Sequence, residues 1–298
     1  MSDVIGVAWS PDGKRLVSAS DDATVQEWSA TTGTAFWTYT FPNPRTVYLF
    51  AVAWSPDGKR IAAAGNTGNV AILDATNGHL LTSYASQSTF IEGLAWSPDS
   101  KRLAVGNGDH AVQVWDTTTG KLLLTYKGHS QPVAHVAWSP DGKHIASASY
   151  DGTVQVWEAA TGAHVLTYSG SGAPVWSVAW SPDGKRIASG TGSAGLNGPV
   201  TSNNSVKVWG AATGQTLQTY ARGTDEAYAL AWSPDGTRIA VGGDSKMVQI
   251  WEPESGKVTL IYMGHHDIIF GVAWSPDGKE VASASSDTSV QVWRAEAS

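Results

Sequence analysis

Ala8-Trp9-Ser10-Pro11-Asp12-Gly13-Lys14-Arg15 is the phrase that decides how this chain folds. It returns, with at most one substitution per copy, from Ala53, Ala95, Ala137, Ala179, Ala231 and Ala273. Its tryptophans, Trp9, Trp54, Trp96, Trp138, Trp180, Trp232 and Trp274, stand 45, 42, 42, 42, 52 and 42 residues apart. A period in the low forties means a repeat architecture, in which one unit is too small to bury its own apolar surface.

The fourth unit shows what is repeated. Pro132 to Trp138 is apolar with small residues interleaved and reads as a strand. Ser139-Pro140-Asp141-Gly142 is a turn, with proline setting φ and glycine taking a positive φ. His144 to Ser149 alternates as a second strand, Asp151-Gly152 is a hairpin signal, and Thr153 to Trp157 alternates as a third. Thr161-Gly162 turns the chain again into His164 to Tyr168. Four short antiparallel strands with no room for a helix make a β-meander. Seven such sheets in a ring can each pack on two neighbours. The expected fold is therefore an all-β seven-bladed propeller. Residues 1–298 read as one domain, with blades starting near residues 4, 47, 90, 132, 174, 226 and 268. Thirteen of the 15 tryptophans occupy two repeated positions, so they read as core between blades.

Composition narrows the function classes. A net charge of −7 argues against a nucleic-acid or acidic-membrane surface, which needs a basic stripe. The absence of cysteine excludes disulfides, thiolate metal sites and a cysteine nucleophile. No apolar run reaches the roughly 18 residues of a membrane span, and the start Met1-Ser2-Asp3-Val4 carries no signal-peptide pattern. A cytoplasmic location is expected.

Gly128-His129, the Ser-Pro-Asp-Gly turn, Asp151 and Trp157 together resemble a repeat of the WD-repeat β-propeller family, and Trp115-Asp116 is a literal Trp-Asp pair. The resemblance covers essentially the whole chain. It implies a hydrogen-bonded structural network of His129, Ser147 or Ser149, Asp151 and Trp157 in blade 4. In blade 7 it implies His265, Asp287 and Trp293. Elsewhere Thr67, Asn203 and Ser245 replace the turn aspartate, so the network is incomplete. The family implies a scaffold for protein or peptide recognition rather than catalysis. Repeats this alike are similar to those of bacterial members, which often sit in larger regulatory proteins.

Three departures from the repeat stand out. Phe41-Pro42-Asn43-Pro44-Arg45 lengthens the link between blades 1 and 2 by 3 residues and reads as neutral change in a surface loop. Gly190 to Ser205 lengthens blade 5 by 10 residues and reads as a mobile loop between strands. Its G-x-G-x-x-G (Gly190, Gly192, Gly195) has no helix to follow it and reads as accidental. At the ends, the units supply 27 strands where a closed ring has 28. Blade 7 is therefore expected to expose the edge of Val290-Gln291-Val292. Such an edge is a template for another strand. A neighbouring chain could pair with it and make a homo-oligomer, the chain could be a module of a larger protein, or the blade could tolerate three strands.

No catalytic or metal motif emerges: there is no H-E-x-x-H, no G-x-S-x-G and no P-loop. No enzyme, no metal and no cofactor is expected. The residue four before each repeated tryptophan varies instead: Ile5, Phe50, Glu92, Ala134, Trp176, Tyr228 and Phe270. In related propellers that position lies at the channel mouth. Phe50, Glu92, Trp176, Tyr228 and Phe270, joined by Tyr150 beside a hairpin turn, form the candidate partner-binding face. The leading expectation is a non-catalytic scaffold for a protein or peptide. The alternatives are a regulatory module that self-associates through blade 7, and a carbohydrate- or small-ligand-binding propeller.

Overall fold

The computed structural model describes residues 2–86, 88–193, 204–223 and 225–296. Its strands form seven antiparallel sheets, each a meander whose strands pair in sequence order. Six sheets have four strands, the last has three, and no helix occurs among the described residues. Blade 4 runs Val133–Trp138, His144–Ser149, Val154–Glu158 and His164–Tyr168. The fold is the seven-bladed propeller expected from the period.

The repeated phrase ends the first strand and makes the turn. In blade 4, Ser139 Oγ donates to Asp141 Oδ1 at 2.6 Å while accepting from His144 N at 2.9 Å, and Asp141 Oδ1 accepts from Lys143 N at 3.0 Å. Gly142 completes the turn at φ 69°. Blade 3 puts Ser100 in that left-handed place, at φ 61°. Ser100 offsets the strain with a bond between blades, its Oγ accepting from Asp57 N at 3.0 Å.

The core lies between blades rather than within them. The cluster joining blades 3 and 4 sets Val112, Val114 and Tyr126 of one against Val133, Trp138 and Trp157 of the other. Two devices recur at most of these seams. Trp138 donates its indole N–H to Ala95 O of the preceding blade at 3.0 Å, and Arg102 of that blade lies over its ring at 4.6 Å. Tyr126, ending the fourth strand of blade 3, stacks on Trp157 with centroids 4.6 Å apart. Equivalent stacks join blades 2 to 3, 4 to 5, 5 to 6 and 6 to 7. Each is worth about 0.5–1.5 kcal/mol beyond the area it buries.

The seam between blades 1 and 2 is the exception, because its third strand ends in Leu73 rather than tryptophan. Tyr39 meets Phe41 edge-on instead, at 5.2 Å, and Phe41 is buried in the same cluster as Leu73. This corrects the reading of the lengthened link as idle surface: Phe41 supplies aromatic bulk that the seam lacks.

The seam between blades 7 and 1 closes the ring with less. Blade 7 consists of Ile269–Trp274, Glu280–Ser285 and Val290–Arg294. Trp9 bonds Ala273 O at 3.1 Å, as Trp138 bonds Ala95 O. With no fourth strand among the described residues, Trp28 has no stacked tyrosine and is only partly buried. Val290 and Val292 are also half-buried, whereas the matching Val154 and Val156 of blade 4 are sealed.

Candidate functional site at the channel mouth

The seven first strands ring a central channel, and in six of them the variable residue sits at an irregularity in the strand. In blade 4, Val133 pairs with Ser149 and His135 with Ala148, so Ala134 is an extra residue with no partner. The same β-bulge isolates Ile5, Phe50, Glu92, Trp176 and Phe270. In blade 6 pairing begins at Ala229, and Tyr228 lies just before it. A bulge re-aims its side chain away from the pleat, and here it aims it into the channel. These seven residues line one end of a cavity of about 500 Å³. The side chain at a bulge is tied to no cross-strand neighbour, so it can change without disturbing the sheet.

Four aromatics form a continuous arc across blades 4 to 7. Tyr150 lies 4.8 Å from Trp176, Trp176 meets Tyr228 edge-on at 4.9 Å, and Tyr228 lies 5.5 Å from Phe270. The arc continues into blade 3 through the Tyr150 hydroxyl, which donates to Glu92 Oε2 at 2.8 Å. Burial pushes the Glu92 carboxyl up to about 7, and the Tyr150 bond only partly opposes this. Burial likewise raises the Tyr150 hydroxyl, with the Glu92 charge adding to it, so the tyrosine remains the donor. Phe50 lines the same cavity from blade 2.

The arc is braced from behind. Trp176 Nε1 donates to Ser193 O at 2.8 Å. Glu226 is buried and accepts from the Tyr228 hydroxyl, from Ser193 Oγ and, at 2.9 Å, from Ser193 N. Asp244 accepts from Glu226 N at 2.6 Å. Gly192 permits this packing, since a Cβ there would lie 3.0 Å from the Trp176 ring. Gly190 has a matching reason: a Cβ would come within 2.7 Å of Ala227 Cβ. Gly195 and residues 194–203 of the lengthened segment, including Asn203, lie outside the described residues.

The cavity also takes in residues that the variable column does not contain. Asp21, at the same place in blade 1 as Tyr150 in blade 4, lines it together with Asp3. Burial and the neighbouring Asp3 and Asp22 charges push the Asp21 carboxyl up to about 6. That column was legible in the sequence twelve residues after each repeated tryptophan. His135 reaches the channel between its two ends, and burial pushes its imidazole down to about 4. It is the one large side chain in a column otherwise filled by Gly6, Ala51, Gly93, Ser177, Ala229 and Gly271. The opposite end of the channel is lined by repeated residues, Pro98, Pro140 and Pro182 with Trp96, Trp138 and Trp180 among them.

The family-type network lies away from the mouth. His129 Nδ1 pairs with Asp151 Oδ2 at 2.9 Å and His129 Nε2 with Ser147 Oγ at 2.8 Å. Trp157 Nε1 donates to Ser147 Oγ at 3.3 Å. Ser149 bonds elsewhere, to Gln131 O. In blade 7 His265 bridges Asp287 at 2.7 Å and Ser283 at 2.8 Å, and Trp293 donates to Ser283 at 3.3 Å. Bonds to His265, Ser289 and His266 N outweigh burial and hold the Asp287 carboxyl down at about 2. The edge residues Val290, Gln291 and Val292 lie on the rim, with Gln291 accepting from the Tyr262 hydroxyl at 2.6 Å. Among the described residues no three His, Asp or Glu side chains gather as a metal site would require.

Residues 4–170 match the family model described as echinoderm microtubule-associated protein second beta-propeller. Residues 162–210, 214–252 and 256–294 each match the model of the WD domain, G-beta repeat. No curated protein matches the chain.

Proposed function

The chain belongs to the WD-repeat β-propeller family, and from that premise we propose that it is a non-catalytic scaffold holding a protein or peptide partner at the aromatic mouth of its channel. Propellers of this family are commonly protein-interaction scaffolds. The observation that carries the reading is the bulge at the head of six first strands. It gathers Phe50, Glu92, Trp176 and Phe270 around one cavity, beside Tyr228, at places where the repeat itself demands nothing. A concave site with rigid aromatic anchors and few polar groups is where binding energy concentrates.

The test is capture from a native lysate by the chain and by a variant with Phe50, Trp176, Tyr228 and Phe270 replaced by alanine. Folding of the variant is checked by thermal melting. Proteins retained by the native mouth and lost from the folded variant support the reading; identical capture overturns it.

A second reading concerns the outer edge of blade 7, where Val290, Val292 and Trp28 are less covered than their counterparts. There a strand of a second copy would add to the sheet and give a homo-oligomer. Light scattering across concentration tests it. Hydrogen exchange that is faster over 281–293 at low concentration, and slows as size grows, is the expected signature.

A further inference from the structure

The mouth carries a charge as well as a shape. Asp3, Asp21 and Glu92 line it, and no lysine or arginine does so among the described residues. Asp21 Oδ1 is buried there with no hydrogen-bond partner. Glu92 Oε2 is taken by Tyr150, while no bond occupies Oε1 among the described residues. Ring faces and edges of Tyr150, Trp176, Tyr228 and Phe270 cover the other side. Each class of incoming side chain meets this lining differently. An apolar group would satisfy the rings but bury the carboxylates further, which costs free energy. An anion would meet three carboxyls. A cation is attracted by the ring quadrupoles and by the carboxylates together.

We propose that the mouth takes a positively charged side chain of the partner, a lysine ammonium or an arginine guanidinium, with its stem against Trp176 and Tyr228 and its charge met by Glu92 and Asp21. This rests on the mouth being the partner's landing place and adds what the partner must present there. The cation also pulls the Glu92 proton away, because the charged carboxylate is then paired. Affinity therefore rises with pH as Glu92 ionises near 7 and, lower, as Asp21 ionises near 6. The other titratable groups lining the cavity are Asp3, His135, Tyr150 and Tyr228. His135 stays neutral above about 4, and the hydroxyls of Tyr150 and Tyr228 are pushed up by burial.

The test uses the whole chain and a phage-displayed library of random peptides. Selected peptides are synthesised and their affinities measured by calorimetry. The expected result is a lysine or arginine at one constant position. Replacing it with norleucine should weaken binding about tenfold or more, and Glu92→Gln should do the same. Glu92→Gln should discriminate the two peptides less than the native chain does. The basic peptide should bind more tightly as pH rises through about 7, while the norleucine peptide should not. Separate lysine and arginine peptides show which cation is preferred. Should Glu92→Gln unfold the chain, Tyr150→Phe and the pH dependence carry the same test. Peptides with a constant apolar or acidic anchor that still lose binding to Trp176→Ala would overturn the cation and leave the mouth standing. Peptides indifferent to the four aromatic substitutions, or no peptides retained at all, would overturn both.

Discussion

The two ends of the channel are built by the two ends of the same seven strands, yet they differ in kind. At the tryptophan end four of the seven repeated tryptophans, Trp96, Trp138, Trp232 and Trp274, share one complete arrangement. There an indole N–H reaches into the preceding blade, as Trp96 does to Ala53 O at 3.1 Å, and an arginine lies over the indole, as Arg60 does over Trp96 at 4.9 Å. At the mouth the bulge residues are a mixture of aliphatic, aromatic and acidic side chains, bound to neighbours chosen locally. The tryptophan end is where blades are joined, so any change there is felt in the sheet beside it. The mouth residues are outside the ladder, so their cost to the fold is small and their chemistry is free. Acidity separates the ends too. The turn aspartates Asp12, Asp141 and Asp183 are held below the usual carboxylate range, first by their serine hydroxyls. Glu92 and Asp21 at the mouth are pushed above it by burial.

That contrast can be broken by substitution. The largest effect belongs to the frame: Trp157→Ala removes a fully buried ring and its stack with Tyr126. It should cost about 3–5 kcal/mol in a denaturant titration, while the folded fraction keeps its mouth. A loss below about 1 kcal/mol would mean the seams are not what holds the ring.

The next effect is a pH dependence with opposite signs at the two ends. Glu92 has a folded-state pKa near 7, above its ordinary 4.5, so the fold binds that proton more tightly than the unfolded chain does. Its stabilisation is complete below 4.5 and fades as pH rises to 7, a fall of about 1–3 kcal/mol. Glu92→Gln should reduce the fall in melting temperature across that window, leaving the part that Asp21 contributes below about 6. The turn aspartates act the other way: their contribution is present above about 4 and disappears as pH falls below it. A melting profile with one slope throughout would merge the two ends.

A smaller effect compares two copies of one network. His129→Ala and His265→Ala each leave a buried serine and a half-buried aspartate without their histidine, at about 1–3 kcal/mol. Among the described residues blade 7 has three strands to hold the same network, so His265→Ala should also speed hydrogen exchange over 281–293, and His129→Ala should not. The smallest effect is Arg102→Ala, which removes one cation–π contact with Trp138 and should cost about 0.5–1 kcal/mol by thermal melting.

Much of this was legible in the sequence because a repeat states its rules seven times. The strand bounds in blade 4, the turn chemistry and the three-stranded last blade follow from spacing and alternation alone. The mouth was legible only as a column that varies. Asp21 escaped because a single aspartate beside Asp22 looks like ordinary turn chemistry until Tyr150 is seen at its place in another blade. Glu226 and Ser193 escaped because they act as braces, and nothing local distinguishes a bracing carboxylate from a solvated one. Phe41 looked like loop because its role depends on Leu73, 32 residues away, lacking a ring.

By itself the sequence determined the number of blades, the strand order, and which residues differ from copy to copy. These depend on local propensity and period, which the chain carries in one dimension. Only the tertiary structure decided that six of the differing residues are bulges, that all seven face one cavity, and that Glu92 loses its water there. Convergence around a closed ring is a property of the closure, and no single repeat contains it.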